Sequence, residues 1–233
     1  MNLLSAKILI TGGSSGLGKA MAETLKAAGA NIVITGRDEK KVEKVATDLG
    51  IHGLAADAGN EEDVLHTFRY VQDKLGGLDV LINNAGWGKF DLIEDIKLQD
   101  FQDVFATNVF GAALMAREAT KIFKSQKSGN IINISSTAGR KGFKGGTIYA
   151  ASKFAVSAMT ECWRDELRPF NIRVMQINPS AVPTAFNVED RTEKELKEKL
   201  LTPTEIAHAV KAVLEMDDRG FIPELAVWAS NPF

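Results

Sequence analysis

Thr11-Gly12-Gly13-Ser14-Ser15-Gly16-Leu17-Gly18 joins a short apolar run at 7–11 to an amphipathic stretch at 17–28. The apolar run reads as a buried strand, and the residues after it place their apolar side chains on one helical face. Four glycines in eight positions are more than an ordinary tight turn between a strand and a helix requires. Glycine lets the backbone turn sharply and lets a pyrophosphate approach the amides that open the helix, where the partial charge is positive. The spacing Gly-x3-Gly-x-Gly departs from the commoner Gly-x-Gly-x-x-Gly fingerprint, so it points to a different dinucleotide-binding family.

Outward from this junction the pattern repeats. Strands are predicted at 7–11, 31–35, 51–56, 78–82, 130–134 and 172–177, and helices at 17–28, 38–49, 61–75, 98–124 and 147–168. Gly29 and Gly50 close the first two helices and Pro169 stops the fifth. Thr202, Pro203 and Glu205 form a capping-box start for a last helix to Met216, and 225–228 supplies a seventh strand. Such alternation predicts an α/β fold: a doubly wound, Rossmann-like parallel sheet of about seven strands with helices on both faces. With 233 residues, 45% hydrophobic and without a dividing linker, the chain reads as one domain over 1–233, with a substrate lid at about 180–202.

Composition removes several function classes. Lys and Arg number 28 against 30 Asp and Glu, so neither a nucleic acid nor an anionic membrane is expected as partner, and a small molecule is. Cys162 is the single cysteine, which rules out an intramolecular disulfide and points to the cytoplasm. The first ten residues carry no basic leader and no apolar run long enough for a signal peptide or a membrane span. His52, His66 and His208 are scattered, so no metal is expected.

The end of the second strand should meet the adenosine ribose. There the sequence is Gly36-Arg37-Asp38. An arginine suits the 2′-phosphate of NADP and an acid suits the free hydroxyl of NAD; Asp38 also reads as the N-cap of the next helix. Arg37 therefore favours NADP(H) over NAD(H), although no basic residue between Gly12 and Gly16 adds a second phosphate contact.

Tyr149 and Lys153 stand four apart on a predicted helix and share one face. A phenol titrates near 10 and is a poor acid or base at neutral pH unless a nearby cation stabilises its anion. Spacing alone does not decide the matter, because Tyr70 and Lys74 repeat it on a charged helix where a half-buried tyrosine and a solvated lysine suffice. Tyr149 differs in context. It follows the fifth strand and a glycine-rich loop, at the carboxyl end of the sheet, where open α/β folds bind ligands. Ser136, just past that strand, is placed to hydrogen-bond a substrate oxygen, with Ser135 as the competing candidate.

In order along the chain, the 11–18 loop, Asp57-Ala58, Asn83-Asn84-Ala85-Gly86, Asn108, Ile134-Ser135-Ser136, Tyr149-x3-Lys153 and Asn178-Pro179 leading to Thr184 resemble the short-chain dehydrogenase/reductase family through almost the whole sequence. The resemblance implies that Tyr149 is the catalytic acid/base, Ser136 holds the substrate oxygen, Lys153 binds the nicotinamide ribose and lowers the tyrosine pKa, and Asn108 holds a water in a proton relay. It implies a cofactor held by Gly12, Ser14, Ser15, Gly16, Leu17, Gly18 and Arg37, with Asp57 and Ala58 flanking the adenine. Asn84, Ala85, Gly86, Pro179 and Val182 would line it, and Thr184 would touch its carboxamide. A homodimer or homotetramer through the long central helices is also implied.

Two departures narrow the inference. Pro179-Ser180 stands where Pro-Gly is common, and the C-terminus lacks the glycine-rich ending of many oxoacyl-carrier-protein reductases in the family, which puts that substrate in doubt. The polar 185–200 stretch reads as lid or solvated helix. Arg140, Lys141 and Lys144 read as a solvated basic cluster or an attractor for an anionic substrate. Trp87, Phe90 and Phe143 read as pocket wall or core. The expected activity is NADPH-dependent reduction of a carbonyl, or oxidation of the corresponding alcohol. A regulator that kept the fold and lost the reaction is the alternative, but it would show damage to Asn108, Ser136, Tyr149 or Lys153, and all four are present.

Overall fold

The inner strands alternate their side chains between two buried faces, as a sheet covered on both sides requires. The computed structural model describes residues 1–184, 186 and 199–231. Among these, β1 (Lys7–Ile10), β2 (Asn31–Gly36), β3 (His52–Ala55), β4 (Val80–Asn83), β5 (Gly129–Ile134), β6 (Ile172–Pro179) and β7 (Glu224–Val227) form one sheet in the order β3-β2-β1-β4-β5-β6-β7. All neighbouring pairs are parallel. The helices are α1 (Gly16–Ala27), α2 (Glu39–Leu49), α3 (Glu61–Leu75), α4 (Leu98–Phe105), α5 (Ala112–Gln126), α6 (Thr147–Leu167) and α7 (Pro203–Glu215).

Ile8, Ile10, Ile32, Ile34, Val80 and Ile82 pack on one face with Met21 and Leu25 of α1 and with Val210 and Val213 of α7. Their strand neighbours Leu9, Val33 and Leu81 pack on the other, with Phe68 of α3 and Met115 and Phe123 of α5. Caps fix where helices begin and end. The Asp38 carboxylate accepts from Lys41 N at 3.1 Å at the start of α2, and Gly50 closes that helix in the left-handed region. Thr202 N donates to Glu205 Oε2 at 2.6 Å in the predicted capping box of α7.

The chain adds strands outward from β1 to β3, then crosses back to place β4 on the other side of β1. Brought together at that reversal, the carboxyl ends of β1 and β4 leave a crevice, the usual ligand site of an open α/β sheet.

Three expectations need correction. The single helix predicted over 98–124 is interrupted by a π-helical segment, Ala106–Gly111, centred on Asn108; a π segment absorbs an extra residue and re-aims the side chains within it. At its end, a Cβ on Gly111 would lie 2.7 Å from the Ala58 carbonyl oxygen, so glycine permits that approach. The fifth predicted helix ends at Leu167 and passes into a 3-10 turn, Arg168–Phe170, that contains Pro169. β6 runs on to Pro179, which carries Asn178 into the sheet beside β7. Of the expected lid at about 180–202, residues 185 and 187–198 lie outside the described residues. Among the described residues, no helix is long and apolar enough to cross a membrane.

Candidate active site

The crevice opens into a cavity of about 810 Å³ that runs from Arg37 at the end of β2 to Tyr149 on α6. Its floor is the glycine turn. Gly12 and Gly16 take left-handed φ of 64° and 51°, and a Cβ on Gly12 would lie 2.9 Å from the Ala85 Cα. α1 begins at Gly16 with no side chain capping its first turn, so amides at the positive end of the helix are free to take a phosphate. This cradle fits a dinucleotide.

Thr11 stitches the two sides of the crevice. Its Oγ1 accepts from Asn84 N and Ala85 N, each at 3.0 Å, while Asn84 Nδ2 donates to the carbonyls of Thr11 at 2.8 Å and Gly12 at 3.0 Å. Asn84 thus lines the cavity and also fixes the turn. Thr11 was missed in the sequence, where a threonine ending a strand gives no sign of the strand it will face.

At the end of the cavity beside β2 and β3, Ser14, Ser15, Arg37, Asp57 and Ala58 line the wall. Asp38 is committed to its capping role and is absent from that wall. Asp57 accepts from Gly59 N at 2.8 Å, which holds the turn after β3. Leu17, Ala85, Gly86, Pro179, Val182 and Thr184 line the middle; a Cβ on Gly16 would stand 3.2 Å from the Thr184 side chain, so the segment after β6 folds back onto the start of α1.

Lys153 lies at the centre. It is buried, its ammonium donates to the Ile134 carbonyl at 2.9 Å, and it stands 5.8 Å from the centroid of the Tyr149 ring. Burial pushes its pKa down to about 8. Tyr149, half-buried, is held above the ordinary phenol value by desolvation, with a hydrogen bond from Ser136 working against that rise.

Strand alternation separates the two serines. Ser135 turns inward and donates to the Lys153 carbonyl at 3.2 Å. Ser136 caps the Thr137–Gly139 turn, its Oγ accepting from Ala138 N at 3.1 Å, and meets the phenol.

Two expected site residues stand behind the wall. Gly18 packs against the Gly12 carbonyl, where any side chain would collide. Asn108 is buried, accepting from Trp87 N at 3.0 Å and donating to the Trp87 carbonyl at 2.8 Å and to Ser152 Oγ at 3.0 Å. Gly86 fits between Asn108 and Lys153, since a Cβ there would lie 3.1 Å from Asn108 Oδ1 and 3.6 Å from Lys153 Nζ. The expected basic cluster divides: Lys141 lines the cavity, whereas Arg140 pairs with Glu224, which also binds Asn178. Trp87, Phe90 and Phe143 are all wall, together with Phe186 and Trp228, which the sequence did not single out.

The short chain dehydrogenase family model matches residues 6–195. An uncharacterized oxidoreductase of Staphylococcus aureus (strain USA300) is 33% identical over 97% of this chain and 99% of its own length. An NADP-dependent 3-hydroxy acid dehydrogenase of Schizosaccharomyces pombe is 31% identical over 99% and 95%. The solved structure of a 3-ketoacyl-(acyl-carrier-protein) reductase from Brucella melitensis, complexed with NADH, superposes with a TM-score of 0.89 at 29% identity, covering 99% of this chain and 100% of that one. With a glycine cradle at one end of the crevice and a tyrosine, lysine and serine at the other, the chain belongs to the short-chain dehydrogenase family and is an NAD(P)-dependent oxidoreductase.

Proposed function

We propose that this chain is an NADP(H)-dependent carbonyl reductase in which Tyr149 gives the proton. The observation that carries the reading is that Ser136, Tyr149 and Lys153 line the same end of the cavity, with the Lys153 ammonium 5.8 Å from the centroid of the Tyr149 ring. The nicotinamide cofactor, when bound, supplies the hydride that reaches the carbonyl carbon. The carbonyl oxygen accepts from Ser136 and Tyr149, and as negative charge gathers on it the phenolic proton passes across. The C=O π bond becomes the new O–H bond and a phenolate remains on Tyr149.

Burial alone makes that phenolate costly, so the nearby ammonium is essential; with a pKa of about 8, Lys153 is mostly charged at pH 7 and stabilises the anion across the ring. Asn108 serves as a positioning residue, its side chain holding the Trp87 backbone and Ser152. Arg37 on the cavity wall, with Asp38 occupied as a cap, supports NADP(H) over NAD(H).

Tyr149→Phe is expected to lower kcat by about 10²–10⁴-fold while leaving NADPH affinity, read by fluorescence, close to wild type. A near-normal rate in that variant would remove Tyr149 from the mechanism.

Phe101, Phe105 and Phe110 form a ridge, with successive ring centroids 5.9 and 6.5 Å apart, and Leu98 and Phe110 are exposed. This exposed apolar ridge supports a homo-oligomer in which a second copy would cover it, and a monomer by light scattering at micromolar concentration would contradict it. With Cys162 free, the cytoplasm is the matching compartment.

A further inference from the structure

Beyond Tyr149 the cavity wall is aromatic. Phe90 meets the Tyr149 ring at a centroid distance of 5.5 Å and 63°, and Phe186 meets it at 5.4 Å and 61°. Phe143 tilts over Phe90 at 5.9 Å. These are the separations and angles at which aromatic rings attract one another. Trp87, Trp228 and Leu200 complete this end. Phe90 is 43% exposed, Phe143 50% and Trp228 66%, so they turn apolar surface toward the opening and leave it uncovered by the core. Contiguous uncovered apolar surface inside a cleft marks a binding face for an apolar ligand.

The charges on the wall lie elsewhere. Arg37 and Asp57 follow β2 and β3 at the far end, and Lys153 is buried beneath Tyr149 and bonded to Ile134. Lys141 is the remaining charged lining residue among those described, and it is exposed to solvent. A substrate carboxylate entering here would give up water among phenylalanine rings and meet only that solvated cation, which is a poor exchange.

We propose that the substrate is a neutral carbonyl compound with an aromatic ring attached at or next to the carbonyl, the ring lying against Phe90 and Phe143 and the oxygen on Tyr149 and Ser136. This rests on the carbonyl-reductase reading. Gly146 gives a handle on the wall that leaves the reacting groups untouched. A Cβ there would lie 2.5 Å from Phe143 Cζ, so Gly146→Ala must displace the ring.

The test is NADPH oxidation by the full chain with three probes: 1-phenyl-1,2-propanedione, 2,3-butanedione (the same dicarbonyl without a ring), and phenylglyoxylate (a ring with a carboxylate). The expected result is a kcat/KM for the phenyl dione at least about tenfold above either of the others, expressed mainly in KM. Phe90→Ala and Gly146→Ala should each bring that ratio toward one, and Phe90→Leu should recover part of it. Equal or better turnover of butanedione or phenylglyoxylate overturns the aromatic-substrate inference and leaves the reductase reading standing.

If none of the three oxidises NADPH, titration of the phenyl dione into the Tyr149→Phe protein holding NADPH separates the two claims. Saturable binding that is lost in the Phe90→Ala, Tyr149→Phe double variant keeps the aromatic site and overturns the reductase reading. Absence of saturable binding overturns the aromatic site as well.

Discussion

Asn108 binds both backbone polar groups of a single residue, Trp87: its Oδ1 accepts from Trp87 N at 3.0 Å and its Nδ2 donates to the Trp87 carbonyl at 2.8 Å. Gly86, and through it the space occupied by Lys153, depends on that clasp. Asn108→Leu leaves the Trp87 amide and carbonyl without partners, at about 1–3 kcal/mol for each group left buried. The expected outcome is a Tm lower by about 5–20 °C and a kcat that falls with it, whereas Asn108→Asp keeps the acceptor and loses less. Thermal unfolding and steady-state kinetics on both variants check this; full kcat in Asn108→Leu would reduce Asn108 to packing.

Lys153 makes the stability of the cofactor-free protein depend on pH in an unusual direction. Burial puts its folded pKa at about 8, below the 10.5 of an unperturbed lysine. Below pH 8 both states carry the proton and the folded state bears the full cost of burying it. Between about 8 and 10.5 the unfolded chain holds the proton and the folded chain does not, so stability rises with pH. Urea unfolding at pH 7 and pH 9 should show wild type gaining about 1 kcal/mol relative to Lys153→Met. A gain equal in the two proteins, or reversed, would show that Lys153 does not titrate in this window.

Cofactor choice should turn on Arg37. Removing a charged hydrogen-bonding partner of the 2′-phosphate costs about 1.5–3 kcal/mol, so Arg37→Ala is expected to raise the KM for NADPH by about 10- to 100-fold and leave that for NADH nearly unchanged. Asp38→Asn, which keeps the cap, should move neither. A wild-type preference for NADH would reverse the assignment of Arg37.

What could be read in the sequence is what local chemistry dictates. The glycine turn, the parallel alternation and the place of Tyr149 after β5 depend on short stretches and on rules of connection, and all three stand in the structure. The π segment at Asn108 was hidden because the backbone that its side chain binds, that of Trp87, lies 21 residues away. Ser135 and Ser136 were indistinguishable until the register of β5 sent one hydroxyl inward and the other to the phenol. Phe186 and Trp228 reach the cavity from opposite sides of α7 in sequence, and nothing in their immediate neighbours marks either as wall rather than surface.

Past the last β1–β4 pair, Ile10 and Ile82, the glycine turn and the strand leading toward the Tyr149 end are joined by Thr11 and Asn84. The glycine turn follows β1, whereas Ser136 and Tyr149 follow β5, so the two ends of the cavity are built on different strands of the one sheet. The wall beyond Tyr149 can therefore be altered without touching the glycine turn, so long as the hydrogen bonds of Thr11 with Asn84 and Ala85 keep the two ends aligned. Errors there would spoil aim before they spoil grip.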